Sequence, residues 1–282
     1  MSAAKKLIAE LQFNFKEQEL SKPNFDFFAQ LMYDISGVHL PESAKNEALI
    51  KNRLSKLLRN YKLQSYDELK EAMKNPDAKL FSDFVSALTT NKTHFFREEA
   101  HFEWLQKYLP THFQSNQELR IWCAAASTGQ EPYTIAMLLN EFLTPEQLLR
   151  TKFLATDIDL QVLKKAVDGM YTENEMAGCP PELRKKYFDK TPTGFHTKDF
   201  LAKTVRFAQL NLMEEWPFQH KFHLIFCRNV LIYFDPPTTK RVIDQMASYL
   251  APKGHLILGH SESGTVKGVN IKPLTRAIYQ RI

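Results

Sequence analysis

Two short segments in the middle of the chain constrain its fold more than any other feature. The first, LRIWCAAASTGQEPYT at 119–134, is an apolar run that ends in small residues and continues into a helical pattern. The second, ATDID at 155–159, closes another apolar run. Strand, small-residue turn, helix and second strand make a βαβ unit, in which the helix connects parallel strands. We therefore expect an α/β domain built on a parallel sheet.

The acids of this unit indicate the class of ligand. Asp157 lies 26 residues after Glu131, close to the offset of about 20 residues at which a βαβ unit places a carboxylate on ribose hydroxyls. The turn has one glycine, Gly129, where a pyrophosphate would need a G-x-G-x-x-G array of exposed backbone N–H groups. Glu131 would also repel a diphosphate. S-adenosylmethionine, which joins adenosine to a cationic, amino-bearing half, fits these residues better.

Composition limits the remaining possibilities. The 282 residues, 44% of them hydrophobic, can bury two cores, and the net charge of +5 favours an acidic partner without identifying one. The three cysteines, Cys123, Cys179 and Cys227, lie far apart, which indicates buried reduced thiols and no disulfide or metal framework. No apolar run reaches the length of a signal peptide or a membrane span. We therefore expect a cytoplasmic chain without membrane insertion.

Residues 1–90 carry helical periodicity and no strand pattern, which predicts an all-α N-terminal domain. Gly37 is expected to end the first of its apolar helical stretches. In the helix that Pro41 opens, Ile50, Leu54 and Leu58 fall on one half of a helical wheel. The other half carries four cations, which we call the basic face: Lys51, Lys56, Arg59 and Lys62. A solvated polar surface and a docking surface for an acidic helix both agree with this pattern.

Five motifs then coincide. They are the connector TTNKTHFFR at 89–97, the turn WCAAASTGQEPYT at 122–134, the acid-ended strand ATDID at 155–159, the run IFCRNVLIYFD at 225–235, and GHSES at 259–263. Together they resemble the CheR family, the chemotaxis receptor glutamate O-methyltransferases, over nearly the whole chain. The resemblance implies an α/β fold: a Rossmann-like S-adenosylmethionine-dependent methyltransferase domain with a small antiparallel β-subdomain, preceded by an all-α N-terminal domain. The implied boundaries are 1–88 for the helical domain, 89–98 for a linker contributing to the cofactor site, and 99–282 for the methyltransferase domain, with the β-subdomain inserted at about 170–204.

The resemblance also implies roles for individual residues. Those expected to bind the cofactor are Asn91, Thr93, Arg97, Glu131, Asp157, Asn211, Leu212, Arg228 and Asn229. Arg97 and Tyr233 are assigned the catalytic roles, with Arg97 clamping the incoming carboxylate and Tyr233 orienting it by a hydrogen bond. One departure is Ala125, where many relatives carry a glycine. The extra methyl group would tighten the turn without blocking the cofactor.

Structural roles compete for several of these positions. Glu131 is also suited to complement a helix dipole from the first turn, and Asn229 to cap the short helical run after it. Tyr233 would serve equally as an amphipathic core residue with its hydroxyl at the surface. Asp159 is interpreted as the N-cap of a helix over 160–167, and the connector could be a linker that buries Phe95 and Phe96.

The segment after Asn229 bears on the chemistry. Enzymes that methylate amino groups usually carry an Asn-Pro-Pro-aromatic turn there, and this chain has no proline between Asn229 and Tyr233. A carboxylate acceptor is already ionised at neutral pH, because the pKa of glutamate is about 4.3, so it needs no general base. The resemblance implies that the acceptor is a receptor glutamate and that S-adenosyl-L-homocysteine is the product.

The implied partners are methyl-accepting chemotaxis receptors, whose acidic helices would dock on the basic face. In some relatives the β-subdomain binds a short receptor tail by edge-strand addition; a sheet extension without a ligand is the alternative here. We expect no metal, because the nine histidines show no ligand spacing, no nucleic acid, and a monomer. Two other functions stay open: a nucleic-acid methyltransferase, and a non-catalytic module that senses S-adenosylmethionine while docking on receptors.

Overall fold

The computed structural model of the chain describes residues 19–112, 118–266 and 270–282. Its contacts divide the chain into two compact units. Among the described residues, the first unit comprises 19–35 together with His39–Thr89, and the second comprises Ser36–Val38 and the described part of Thr90–Ile282. In the described residues, no helix combines the length and the apolar character that a membrane span requires.

Four helices make up the first unit as described: α1 (Lys22–Ser36), α2 (Ala44–Tyr61), α3 (Tyr66–Ala72) and α4 (Ala78–Leu88). Ser43, Ser65 and Asp77 cap α2, α3 and α4, because each side-chain oxygen accepts a hydrogen bond from a backbone N–H in the first turn. The ring of Phe28, fully buried, packs against the rings of Tyr66 and Phe84. The unit is therefore a small helical domain with its own aromatic core.

The structure of α2 confirms the predicted division of its surface. Ile50, Leu54, Leu57 and Leu58 are buried. On the basic face, Lys56, Arg59 and Lys62 are exposed and Lys51 is partly exposed. The basic face is therefore available to solvent within this unit.

The second unit contains ten strands and seven helices in its described part. The strands are β1 (Leu119–Cys123), β2 (Thr151–Asp157), β3 (Met170–Tyr171), β4 (Phe188–Thr191), β5 (Gly194–Thr197), β6 (Arg206–Gln209), β7 (Phe222–Cys227), β8 (Leu250–Leu258), β9 (Ile271–Thr275) and β10 (Ile278–Arg281). The helices are α5 (Ala100–His112), α6 (Gln130–Phe142), α7 (Pro145–Leu149), α8 (Leu160–Asp168), α9 (Pro181–Tyr187), α10 (Asp199–Ala202) and α11 (Pro236–Tyr249).

Seven of the strands form one sheet in the order β6-β2-β1-β7-β8-β10-β9. The first five run parallel to one another, and β10 is antiparallel to both β8 and β9. The chain leaves β1 toward β2 and β6, then returns to β7 on the other side of β1. The strand order therefore reverses between β1 and β7, which is where open α/β sheets bind their ligands, outside the carboxyl ends of the strands.

The central strands β1 and β7 of this sheet are buried on both faces. In β1, Ile121 and Cys123 belong to one hydrophobic core with α5 and α6, whereas Trp122 belongs to a second core with α11. The side chains of β7 alternate between the same two cores. This explains why these strands read as continuous apolar runs. The predicted parallel α/β architecture is confirmed.

The predicted β-subdomain is a three-stranded antiparallel sheet in the order β3-β5-β4. Its hairpin turns at Pro192 and Thr193. At Gly194, which begins β5, a Cβ atom would lie 2.1 Å from the carbonyl oxygen of Tyr171. The close approach of β3 to β5 therefore requires glycine. The prediction included the hairpin but not β3, because a two-residue strand has no detectable period.

Three other boundaries differ from the sequence-based expectation. A proline predicts the end of the helix that follows the connector, but α5 continues through Pro110 to His112. The Thr111 hydroxyl donates to the Tyr108 carbonyl oxygen at 3.0 Å. Proline and glycine at 252–254 favour a turn before the strand that follows, but these residues lie inside the single long strand β8, where its register with β7 shifts. The edge strand β9 has no counterpart in the prediction, since its exposed residues give no apolar signal.

Candidate active site at the carboxyl ends of the central strands

The turn after β1 begins the site. Ser127 and Gly129 have positive φ angles of 49° and 94°. A Cβ atom on Gly129 would lie 2.9 Å from the Cβ of Ala166 on α8, so the turn needs glycine both for its backbone angle and for its packing. The Tyr171 hydroxyl donates to the Thr128 carbonyl oxygen at 2.9 Å and closes the turn from the side of β3.

Asp157, at the end of β2, binds this turn directly. One carboxylate oxygen accepts from the backbone N–H of Ser127 at 2.8 Å, and the other accepts from the N–H of Asp159 at 3.0 Å. The side chain is buried, and burial raises its pKa to about 6, although the two amides favour the ionised form. The carboxylate is therefore held at the strand end in a fixed orientation, with a proton affinity close to physiological pH.

The connector packs against the same turn. The Ser127 hydroxyl donates to the Asn91 carbonyl oxygen at 2.9 Å, and the Asn91 side-chain amide donates to Asp159 at 2.8 Å. Asp159 also accepts from the Gln161 N–H, which confirms its interpretation as the N-cap of α8. Phe95 is fully buried, with its ring 5.2 Å from that of Tyr171. The connector can therefore both bury Phe95 as a structural linker and contribute Asn91 to a ligand site, because Phe95 anchors the segment that carries Asn91.

Arg228, the residue after β7, is the centre of a buried ionic network. Its guanidinium donates to Glu131 at 2.5 Å, to Glu98 at 3.2 Å and to the carbonyl oxygen of Arg97. The side chain is fully buried and lies over the ring of Phe102, 5.3 Å from the ring centroid. Glu131 therefore serves as an ion-pair partner of Arg228 in addition to its position in the first turn of α6.

The charge of this network suits a cationic ligand. One arginine is balanced against two carboxylates, those of Glu98 and Glu131, and the carboxylate of Asp157 follows at the next strand end. Burial opposes ionisation of Glu98, but hydrogen bonds from Asn229, Arg228 and the His260 N–H outweigh it and hold the pKa of Glu98 below its ordinary value. The network therefore carries net negative charge at neutral pH. This charge suits the sulfonium half of S-adenosylmethionine, and the carboxylate of Asp157 nearby suits its ribose hydroxyls.

Strained backbone accumulates in the same place. Seven non-glycine residues in the described part of the chain have positive φ angles, and four of them are Phe96, Glu98, Ser127 and Asn229. Such conformations cost on the order of 1–3 kcal/mol each and persist only where surrounding contacts impose them. Their concentration around one set of strand ends is typical of a functional site.

Not all of the predicted residues join these contacts. Arg97 donates through Nη1 to the Lys92 carbonyl oxygen at 2.7 Å and is partly exposed. Thr93 and Tyr233 are also partly exposed. After β6, Asn211 forms a local turn by accepting from the Met213 N–H, whereas the side chain of Leu212 is buried in the core that contains α11. Their roles in binding and catalysis stay predictions.

Asn229 does not act as a conventional helix cap. Its side-chain amide donates to Glu98 at 3.0 Å, and its φ angle is 59°. The following residues, Leu231–Tyr233, form a single 3₁₀ turn. The alternative interpretation of Asn229 as a cap is therefore wrong, and the residue connects the end of β7 to Glu98, directly after the connector.

Two acidic residues of the site, Glu98 and Glu262, had no assigned role in the sequence analysis. Glu98 directly follows Arg97 and pairs with Arg228, 130 positions away. Glu262 belongs to the motif GHSES and accepts hydrogen bonds from backbone amides around Asn229. The available signal was one acid directly after the connector and another inside GHSES, but the partners of both acids lie on segments far away in sequence.

Glu98, His101 and His260 bring possible ligand atoms within 4.8 Å of one another. The same carboxylate oxygen of Glu98 already accepts from Arg228 and from the His260 backbone N–H. A metal ion would have to compete with a guanidinium for it. Burial and the nearby Arg228 lower the pKa of His101 to about 4, which keeps it neutral. The expectation that no metal binds stays a prediction.

Comparison with known proteins agrees with this geometry. The family described as CheR methyltransferase, SAM binding domain, matches residues 91–273, and CheR methyltransferase, all-alpha domain, matches residues 23–89. A chemotaxis protein methyltransferase of Borreliella burgdorferi is 37% identical, with 96% of each chain covered. Chemotaxis protein methyltransferase 2 of Pseudomonas aeruginosa is 36% identical, covering 96% of this chain and 95% of its own. A third, from Escherichia coli, is 37% identical over 86% and 85% of the two chains.

Proposed function

Since the chain belongs to the CheR family of chemotaxis methyltransferases, we propose that it transfers a methyl group from S-adenosylmethionine to the γ-carboxylate of glutamates on the cytoplasmic helices of chemoreceptors. The products are glutamyl methyl esters and S-adenosyl-L-homocysteine, and the reaction serves chemotactic adaptation. The observation that carries the proposal is the negatively charged network around Arg228 at the reversal of strand order, with Asp157 at the neighbouring strand end.

The cofactor supplies an electrophilic methyl group when it is bound at this edge of the sheet. The residues that would hold it are Asn91, Thr93, Arg97, Glu131, Asp157, Asn211, Leu212, Arg228 and Asn229. Asp157 would accept from the ribose hydroxyls. Glu131 and Glu98, which share Arg228 as an ion-pair partner, would favour the positive half of the ligand. Leu212 would contribute its backbone, since its side chain is buried in the core.

The acceptor carboxylate has to be positioned by the site, but it does not need a general base. It is ionised at neutral pH, so the site has to hold it in line and exclude water. Arg97 uses one N–H for the Lys92 carbonyl oxygen, and the other donors of its guanidinium can clamp an incoming carboxylate. Tyr233, partly exposed in the turn after β7, would orient the same carboxylate by a hydrogen bond from its hydroxyl.

Two surfaces suit the receptor. The basic face of α2 would attract the acidic methylation helix through charge complementarity. In the β-subdomain, a cavity of about 310 Å³ is lined mainly by basic and aromatic side chains, among them Lys185, Lys190 and Lys198. There the Arg184 guanidinium lies 5.0 Å from the centre of the Phe195 ring. The strand β4 is an edge of its sheet, so a receptor tail could add to it as a further strand. We propose that the protein acts in the cytoplasm as a monomer.

The test is methyl transfer from radiolabelled S-adenosylmethionine into membranes that contain chemoreceptors. We expect label that mild alkali releases as methanol, as a glutamyl ester requires. Alkali-stable label in RNA or DNA, with binding that weakens steeply with salt, would instead support a nucleic-acid methyltransferase. Tight binding of S-adenosyl-L-homocysteine without transfer to any receptor would support a non-catalytic module.

A further inference from the structure

A buried carboxylate, Glu262, links the ends of β7 and β8, and the proposed contacts to cofactor and acceptor do not include it. The residue is 1% exposed. It lies in the 3₁₀ turn His260–Thr265, which follows β8. A buried acid is costly unless its oxygens are satisfied, so its partners indicate what it is for.

Both oxygens of Glu262 accept hydrogen bonds from backbone amides on two segments. Oε1 accepts from the Leu231 N–H at 2.7 Å, and Oε2 accepts from the Asn229 N–H at 2.9 Å and from the Gly259 N–H at 2.6 Å. The Asn229 and Leu231 amides belong to the turn that carries Arg228 at one end and Tyr233 at the other. One side chain therefore holds the backbone of the turn between them.

The two strand ends approach so closely at this point that no side chain fits on Gly259. A Cβ atom there would lie 2.6 Å from the side-chain nitrogen of Asn229 and 2.7 Å from Oε2 of Glu262. Gly259 has a φ of −69°, so its backbone angle does not require glycine. The requirement comes from the atoms of Glu262 and Asn229 that surround it, which include the backbone nitrogen of Asn229 at 3.0 Å.

The turn needs such support because its backbone is strained. Asn229 has a φ angle of 59°, in the left-handed region. The turn that carries Glu262 is itself anchored, because the Tyr279 hydroxyl on β10 donates to the Ser263 carbonyl oxygen at 2.5 Å. The chain of contacts thus runs from β10 through Glu262 to the turn after β7.

We propose that Glu262 is a positioning residue for methyl transfer, whose carboxylate fixes the Arg228–Tyr233 turn in the geometry that the reaction needs. This inference rests on the proposed function, because the geometry of the turn matters only if the protein transfers methyl groups. Glu262 acts through the amides of Asn229 and Leu231 and is not among the residues proposed to bind the cofactor or the acceptor.

The test compares three variants with the wild-type full chain. Glu262→Gln replaces one acceptor oxygen with an NH₂ group that faces a backbone N–H. Gly259→Ala disturbs the same contact from β8. For both we expect kcat to fall about 10- to 100-fold, since a misplacement of about 1 Å costs on that order, with KM for receptor within about twofold. The control, Glu215→Gln, changes an exposed glutamate of the same unit and should match the wild type.

Amide hydrogen exchange provides a readout that does not depend on turnover. We expect faster exchange in Glu262→Gln at Asn229, Leu231 and Gly259, with the rest of the Thr90–Ile282 unit unchanged. If the wild type transfers no methyl group to receptors but this local change occurs, the proposed function fails and the role of Glu262 in fixing the turn is supported.

Two results would overturn the inference. One is a kcat of Glu262→Gln within about twofold of the wild type. The other is faster exchange throughout the unit together with a matching loss of thermal stability, which would make Glu262 a general structural residue. If Glu262→Gln does not fold, Gly259→Ala is judged by the same two criteria.

Discussion

Replacing Arg228 with methionine tests the ionic network at its centre. The change removes the guanidinium that pairs with Glu131 at 2.5 Å and with Glu98 at 3.2 Å, in a side chain that is fully buried. Breaking a buried ion pair from one side typically costs about 3–5 kcal/mol, because the remaining charge is left uncompensated. In a unit the size of Thr90–Ile282, this corresponds to a decrease in melting temperature of about 6–20 °C.

Tryptophan fluorescence during thermal and urea unfolding measures this loss specifically. The chain has three tryptophans, Trp104, Trp122 and Trp216, and all of them belong to the second unit. The control is Lys240→Met, which breaks a pair with Asp244 at 2.6 Å whose side chains are 61% and 41% exposed. We expect that control to cost less than about 1 kcal/mol.

The pH dependence of the Arg228→Met variant has a predictable sign. In the wild type the pKa of Glu98 lies below its ordinary value. The ionised side chain therefore stabilises the folded state at pH values above that ordinary pKa. This stabilisation is lost as the pH falls through the pKa of Glu98 in the folded state. Without Arg228, burial acts with less opposition and the pKa of Glu98 rises. The variant should therefore be closest to the wild type in stability at about pH 5 and furthest from it at about pH 8.

Removing the two carboxylates as well should restore stability. The triple variant Glu98→Gln, Glu131→Gln, Arg228→Met has no buried charge in this network, and it should recover about half or more of the loss. The reasoning is refuted if Arg228→Met unfolds within about 1 kcal/mol of the wild type, or if the triple variant is no more stable than the single one.

Three further predictions concern ligands and receptor. Because the pKa of Asp157 is raised to about 6, the affinity for S-adenosyl-L-homocysteine should fall as the pH decreases through about 6. Calorimetry from pH 5 to 8 should show this decrease in the wild type and an affinity that does not depend on pH in Asp157→Asn. Arg97→Ala should lower kcat/KM for receptor about 100-fold or more, whereas Arg206→Ala, at an exposed arginine of the same unit, should leave it unchanged; an active Arg97→Ala would exclude the clamp. Replacing the four cations of the basic face with glutamate should raise KM for receptor at low salt at least tenfold without changing cofactor affinity, and an unchanged KM would place the docking surface elsewhere.

Much of the architecture could be predicted because its signals are local. The apolar runs of β1 and β7, the stripe on α2 and the capping residue Asp159 depend on neighbours within a few positions. Gly37 was expected to end the first helix, and α1 ends at Ser36, where the next residue has a φ of 73°. Acids at the ends of β1 and β2 indicated a ligand site, since parallel strands bring their carboxyl ends to one edge.

The sequence by itself determined the order of helices and strands, the cations on one side of α2 and the acids beside the strand ends. Only the tertiary structure decided which charges meet: Glu131 lies 97 positions from Arg228, and Glu262 lies 33 positions from Asn229. It also decided that Pro252 and Gly254 are accommodated inside β8 rather than in a turn. The physical reason is that hydrogen bonds and ion pairs form between atoms about 3 Å apart. Periodicity along the chain shows which face a side chain occupies, whereas only the packed sheet shows which distant residue faces it.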